Sequence, residues 1–355
     1  MRTFDYHAEA LKLLTPEIVQ KINRIQYSKV MNAVIAETHG DFLEKIHTHA
    51  KHSSIRASNR LSGIRISEAR IHEMAGGKPA VNSSEQEYAG YTRAFVYIKE
   101  NYASMEWTPE TVLFIHKTLF EKSDPENAGT LKKAMPAYGP RSPEAPGFQG
   151  AAPEETPLLL DTAVRQYKSL LEEGIFDPLL PFSIFYLDFM MINPFDHGNG
   201  RVCRLLALYS LFKTGYPVGM YISFESILEK MAAQQAEAVG QSAAGWDEGR
   251  NTYIPFCHFV LEVMDKANKE FREKIAHLMM PGITKAERIR QTVQRQEAVF
   301  TKADIIEALP DISQTSIERE LGKFKQEGMI EILRSGPLST YRYIGNKSEN
   351  EIQRN

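Results

Sequence analysis

Apolar residues recur every three or four positions through most of the chain, the period of helices that bury one face and not that of half-buried strands. Between Thr15 and Lys51 the series Ile18, Ile22, Ile25, Val30, Val34, Ile35, Phe42 and Ile46 predicts one long helix or a pair. A polar interlude follows from Lys51 to Ser62, then a short helix from Ser67 to Met74 stopped by Gly76 and Gly77. Tyr88, Tyr91, Phe95 and Ile98 mark one side of a helix from Glu85 to Tyr102. Thr108 followed by Pro109 has the form of an N-cap with proline at the first helical position.

The stretch from Ser123 to Thr156 breaks this texture with prolines at 125, 136, 140, 143, 146 and 153 and four glycines among them. It reads as a long irregular loop, either a plain surface connection or a functional segment. Helical periodicity resumes from Leu158 to Glu173, Pro181 to Met191, Arg201 to Phe212, Glu225 to Val239 and Ile254 to His277. Pro281 and Gly282 then mark a domain break. From Thr284 to Ile344, three helical stretches precede alternating residues, Ile330 and Ile332 then Tyr341 and Tyr343, around a turn at Gly336. That order predicts a winged helix-turn-helix at 284–345, and the polar tail 346–355 is expected to be disordered.

A chain of 355 residues is too long for a single core, so two or three domains are expected. Forty-two basic against forty-five acidic side chains leave a formal charge of −3, so nucleic acid or anionic lipid must be drawn by a local patch if at all. Two cysteines, Cys203 and Cys257, are too few for a disulfide framework or a thiolate zinc site and point to a reducing compartment. With no apolar run of membrane-spanning length and no secretory pattern at the N-terminus, a cytoplasmic protein without membrane partners is expected.

The densest chemical signal is Asn193-Pro-Phe-Asp-His-Gly-Asn-Gly-Arg-Val-Cys-Arg204. Gly198 and Gly200 let backbone approach a ligand closely, and the helix that follows presents unpaired N–H groups and the positive end of its dipole. Arg201 and Arg204, three residues apart, suit phosphate oxygens. The plain alternative is a helix start carrying two solvated arginines.

This segment resembles the signature loop of the Fic (Fido) domain family, His-Pro-Phe-x-(Asp/Glu)-Gly-Asn-Gly-Arg-x-x-Arg, at Pro194, Phe195, Gly198, Asn199, Gly200, Arg201 and Arg204. The similarity extends from about Lys51 to Val263, within a Fic-like domain expected at 51–280: the segment Phe114 to Phe120 resembles the helix before the family's β-hairpin flap, and 123–156, with Gly129, Lys132 and Lys133, occupies the place of the flap. The resemblance implies a mainly α fold, a Fic/Fido helical core with a small β-hairpin flap, preceded by a helical extension at 1–50 and followed by the winged helix. It also implies transfer of AMP from ATP to protein hydroxyls. The motif His would serve as base, the acid would hold Mg²⁺, and Phe195, Gly198, Asn199, Gly200, Arg201 and Arg204 would form the nucleotide-phosphate cradle.

Three positions depart from the family pattern. Asn193 replaces the His, and a carboxamide cannot remove a proton. His197 replaces the acid, and imidazole is a poor ligand for Mg²⁺. In Ser53-Ser-Ile-Arg-Ala-Ser-Asn59, which resembles the family's inhibitory helix motif at Ser53, Ser54 and Asn59, Ala57 stands where the inhibitory Glu belongs, so no carboxylate is left there for Arg204. The paired tyrosines that the family carries near adenine align with Gln235 and Ala236. Joint loss of base, metal ligand and inhibitor points to a degenerate Fic protein with weak or no transfer, in which ATP binding remains plausible and Mg²⁺ binding is doubtful.

Two other readings compete. The winged helix would bind DNA, or serve packing or dimerisation; Arg319, Lys323 and Lys325 are offset by Glu318, Glu320 and Glu327, which weakens attraction to phosphate. Gln314, Thr315 and Ser316 are placed to read base edges, and Arg334 and Arg342 to touch the backbone. Alternatively the flap captures a partner strand without modifying it. Candidate partners are therefore a target protein at the flap, a second copy of the chain, and DNA. His52, His116 and His258 sit beside apolar faces and read as structural residues.

Overall fold

The computed structural model describes residues 2–38, 40–135, 150–279, 284–296, 299–309, 311–334, 336 and 339–345. The centre of the expected flap (136–149), the break at 280–283 and the tail 346–355 lie outside the described residues. The helices are α1 (Tyr6–Lys12), α2 (Pro16–Thr38), α3 (Gly40–Leu61), α4 (Glu68–Ala75), α5 (Ser83–Asn101), α6 (Pro109–Phe120), α7 (Thr156–Glu173), α8 (Leu179–Ile192), α9 (Asn199–Lys213), α10 (Phe224–Lys230), α11 (Ala232–Ala243), α12 (Ile254–Met279), α13 (Lys285–Gln294), α14 (Lys302–Ala308) and α15 (Gln314–Gln326). Strands β1 (Phe300–Thr301), β2 (Ile330–Arg334) and β3 (Thr340–Tyr343) form one small antiparallel sheet in the order β1-β3-β2. The chain is thus mainly helical, and no helix among the described residues is long and apolar enough to cross a membrane.

Two compact units divide the chain, residues 1–33 with 51–268, and 34–50 with 269–355. These divisions fall inside α2, α3 and α12. The expected polar interlude at Lys51 to Ser62 is helical: α3 continues to Leu61. Ser53, Ser54, Ser58 and Asn59 face inward there, so burial with polar partners replaces the apolar stripe that periodicity looks for.

In the first unit α8 is the central helix. Thirteen of its residues are buried, apolar on every side, as expected for a helix packed all round. It packs against α7 and α9, while α5 packs against α6 and α9. Thr108 caps α6 through the Thr111 N–H, with Pro109 at its first position. Two buried polar residues interrupt the apolar surface of α8, Ser183, whose hydroxyl donates to Leu179 O, and Asp188. Asp188 accepts from Trp246 Nε1 at 2.6 Å and from the Tyr253 hydroxyl at 2.9 Å, and Arg2 lies 3.6 Å away. Burial pushes the Asp188 carboxyl up to about 6, against the pull of Arg2.

In the second unit α13, β1, α14, α15, β2 and β3 follow in that order, around a core that includes Ile289, Phe300, Ile305, Ile317, Leu321 and Phe324. Phe300 pairs with Tyr341, and Ile330 with Tyr343. Thr301 and Asp304 close a capping box on α14, and Ser313 caps α15 through the Ser316 N–H. Arg288 grips Asp311 through two parallel bonds of 2.7 and 2.8 Å.

Candidate functional site

The loop between α8 and α9 begins at Asn193, which caps α8 in the left-handed conformation at φ 48°, the one described residue other than glycine with positive φ. Asn tolerates that region better than most residues, so the sequence accommodates the turn here. Lys132 holds it from the neighbouring loop. Its Nζ donates to the Ile192 and Asn193 carbonyls, each at 2.9 Å, and its backbone N–H donates to Pro194 O. A cation at the carbonyl end of α8 is favoured by the helix dipole, although burial pulls this ammonium down to about 8. Gly150 lies against the same point: a Cβ there would approach Asn193 Cβ to 3.0 Å and Lys132 Nζ to 3.1 Å. The described parts of 123–135 and 150–155 are turns without strand, with Gly129 at φ 77° and Lys133 exposed.

Phe195 is fully buried and stacks flat on His116 at 3.8 Å between ring centroids. His116 Nδ1 accepts from the Gly129 N–H at 2.9 Å, which leaves Nε2 to donate to His197 O at 3.2 Å. The ring is therefore neutral, and burial pulls it down to about 4. One structural histidine thus ties α6, the Gly129 turn and the motif loop together. Asn199 closes the loop on itself, its carboxamide accepting from the Phe195 N–H at 2.9 Å and donating to the Phe195 carbonyl at 2.8 Å. Gly198 is obligatory on two grounds: its φ is 77°, and a Cβ would meet the Phe120 ring at 2.3 Å.

Behind this turn α9 starts with no side-chain cap. Its first N–H groups, including that of Gly200, are those a helix leaves unsatisfied. Arg201 is 6% exposed, forms an ion pair with Glu87 of α5 at 2.6 Å and lies over the Phe120 ring at 4.8 Å. Its Nε and Nη1 are buried without a hydrogen-bond partner. Arg204 turns toward α3 instead. Nε donates to Ser58 Oγ at 2.8 Å, and Nη2 to Ser58 O at 3.0 Å and Ser62 Oγ at 2.7 Å. Glu225 of α10, also buried, accepts from the Tyr91 hydroxyl at 3.2 Å; burial raises its carboxyl, while a Ser54 hydrogen bond and the charge of Arg204 act the other way.

The segment with Ser53, Ala57 and Asn59 therefore lies beside α9, with Ala57 fully buried. Asn59 Nδ2 donates to Ile55 O within α3. His197 is half-exposed and sits 2.8 Å from Asp124, whose carboxyl it holds below the ordinary range, while Asp196 is exposed. Among the described residues no three His, Cys, Asp or Glu side chains converge as a metal site.

Residues 106–211 match the Fic/DOC family profile. This segment is a Fic/DOC domain. The chain is similar to the protein adenylyltransferase Fic of Drosophila willistoni, 24% identical over 222 residues, 59% of this chain and 43% of the relative. The corresponding protein of Aedes aegypti is 23% identical over 227 residues, with the same shares. The chain thus spans less than half the length of the curated relatives it matches. Its fold is similar to a Fic family protein of Desulfovibrio desulfuricans, with TM-score 0.58 and 18% identity over 94% of this chain and 97% of that one. A Fic domain containing signaling protein of Bacteroides thetaiotaomicron gives 0.59 and 18%, over 72% and 97%.

Several residues that shape this Fic domain escape sequence reasoning. Glu87 and Glu225 meet the motif arginines across long sequence separations and carry no local signal. Asp124 is hidden in the proline-rich stretch, and Ser58 and Ser62 lie in the segment whose polarity suggested a loop.

Proposed function

We propose that the Fic domain of this chain is a nucleotide-phosphate site of the protein adenylyltransferase type in which AMP transfer is weak or lost. Asn193 carries the reading: a carboxamide stands where the family motif has its imidazole, and it can orient a hydroxyl but not deprotonate it. The residues suit a polyphosphate. Arg201 has two buried N–H groups without acceptors, and the uncapped start of α9 offers further donors next to Gly198. His197, bound to Asp124, is a poor ligand for Mg²⁺, and its replacement of the motif acid weighs against metal-assisted transfer. ATP is the co-substrate implied by the named relatives; here Arg201 and the α9 N–H groups would hold its phosphates.

Titration calorimetry with ATP, with and without Mg²⁺, tests the cradle: heat at millimolar ligand that disappears in an Arg201→Ala variant supports it, and no heat removes it. Labelled ATP in a cell lysate tests transfer. Strong protein labelling that depends on Arg201 would overturn the impaired reading.

The order helix, strand, helix, helix, strand, strand in residues 285–343 favours a winged helix as the second unit. Glu318 is paired with Lys302, and buried Glu320 with Lys323, so the charges on α15 are largely met within the unit. That supports a protein contact over DNA. A salt-dependent mobility shift with random duplex would reverse the preference.

A further inference from the structure

The motif loop holds an imidazole that the phosphate cradle does not use. His197 stands immediately before Gly198, the residue that precedes the uncapped start of α9, and its side chain is 43% exposed. Nε2 lies 2.8 Å from Asp124 Oδ2, and among the described residues nothing bonds to Nδ1. Asp124 is itself fixed: both carboxylate oxygens accept from Asn127 Nδ2 at 3.1 Å, and its backbone N–H donates to Phe120 O at 2.8 Å. The Phe120 ring sets the imidazole from another side, edge-on at 4.4 Å between centroids, and the same ring carries the Arg201 guanidinium at 4.8 Å. Imidazole and guanidinium thus flank one aromatic ring, close enough for a single polyphosphate to reach both. A carboxylate bonded to one ring nitrogen selects the tautomer in which the other nitrogen keeps its lone pair. With the hydrogen on Nε2 donating to Asp124, Nδ1 is left as a nucleophile. The carboxamide at Asn193 bars attack by a hydroxyl, whose proton must be taken as the bond forms, but not attack by an imidazole.

We propose that His197 is a modification site of the chain's own making: its Nδ1 attacks the α-phosphorus of bound ATP, and the motif loop becomes adenylylated on histidine. The Nδ1–P bond forms, the bond from the α-phosphorus to the oxygen bridging to the β-phosphate breaks, and pyrophosphate leaves with that electron pair. Asp124 meets the positive charge that the ring gains, and Arg201 the negative charge that the leaving group gains. The Nε2 proton then passes through Asp124 to solvent, which leaves a neutral imidazole phosphoramidate. This inference rests on the nucleotide-phosphate reading above. Transfer to a hydroxyl of another protein stays impaired, because nothing in this step supplies a base for it.

The test incubates the purified full chain with ATP labelled at the α- or the γ-phosphate, while calorimetry follows ATP binding by the same preparation. Label from the α position is expected on the chain, and none from the γ position. A phosphoramidate is cleaved by mild acid and survives alkali, whereas an adenylylated Ser, Thr or Tyr survives mild acid, so acid treatment should remove the label. His197→Gln changes a half-exposed side chain and should bind ATP while taking no label. Asp124→Asn tests positioning: ATP affinity should stay within about twofold of native while labelling slows at least about tenfold, a split that a merely structural role would not produce. ATP binding without α-label on the chain overturns the proposal and leaves the cradle standing, and absence of ATP binding removes both. Acid-stable label, or undiminished label in His197→Gln, puts the modification on another residue and overturns the proposal as well.

Discussion

Arg204 on α9 holds Ser58 on α3 at two points, Nε to the hydroxyl at 2.8 Å and Nη2 to the backbone carbonyl at 3.0 Å. The second motif arginine is thereby committed to the helix that carries Ala57, and Ser62 adds a third contact to it at 2.7 Å. Burying a guanidinium without acceptors costs free energy, so these serines help to stabilise the packing of α3 on α9.

Ser58→Ala removes the hydroxyl and leaves the Nε of a 4% exposed guanidinium without that acceptor. The expected loss is about 1.5–3 kcal/mol, typical of a hydrogen bond to a charged group. Urea unfolding reads it directly. A change under about 0.5 kcal/mol would mean that water or another acceptor takes over, and that the α3 contact is not what holds Arg204.

Gly198→Ala combines two penalties. The backbone is at φ 77°, and the new Cβ would fall 2.3 Å from two atoms of the buried Phe120 ring. Displacing that ring disturbs His116 and Arg201, which both contact it. Destabilisation of about 1–3 kcal/mol and loss of ATP binding are expected together. Full ATP affinity in a variant that still folds would show that the turn is not the cradle.

The fold was legible where burial follows periodicity. Thr108, Pro109 and the apolar run after them yield α6 as expected, and α8, apolar apart from Ser183 and Asp188, is central because no side of it suits water. The motif glycines were legible too, since close approach and positive φ leave few alternatives to Gly198. Polar burial was not. Ser54 and Ser58 look like a loop until Glu225 and Arg204 arrive from other helices to bond them. His116 was read as structural, but its link between Gly129 and His197 depends on partners 13 and 81 residues away in sequence, which no local pattern announces.

His116 makes a pH test possible. Its ring is neutral in the fold and pulled down to about 4, whereas an unfolded imidazole titrates near ~6.5. The unfolded chain therefore takes up the proton first as pH falls, so this group's contribution is present above ~6.5 and is lost as pH drops toward 4. The full span is on the order of 3 kcal/mol. Asp188 acts oppositely: raised to about 6, it keeps its proton in the fold longer than in the unfolded chain, and its term gains stability as pH falls through 6. The native curve mixes both, so the informative quantity is the difference between native protein and His116→Gln. The penalty of that variant should shrink by on the order of 2 kcal/mol between pH 7 and pH 4.5. An equal penalty at both would rule out a buried neutral His116.

The proposed loss of transfer is most sharply tested by restoring what is missing. Histidine, like asparagine, is enriched among residues at positive φ, so Asn193→His should fold at little cost at φ 48°. That substitution supplies a group able to accept the proton of an attacking hydroxyl near neutral pH. His197→Asp exchanges an imidazole for hard oxygen donors and frees Asp124 from its present partner. General base catalysis alone contributes about 10²–10⁴-fold, so the double variant should label protein from ATP at least about 10²-fold faster than the native chain. Asn193→His alone should fall between the two, and Arg201→Ala in the double variant should abolish the gain by removing the phosphate contact. If the double variant binds ATP yet labels no faster than the native chain, then the defect lies elsewhere, in the flap or in the residues around Gln235, and not in the base and acid positions.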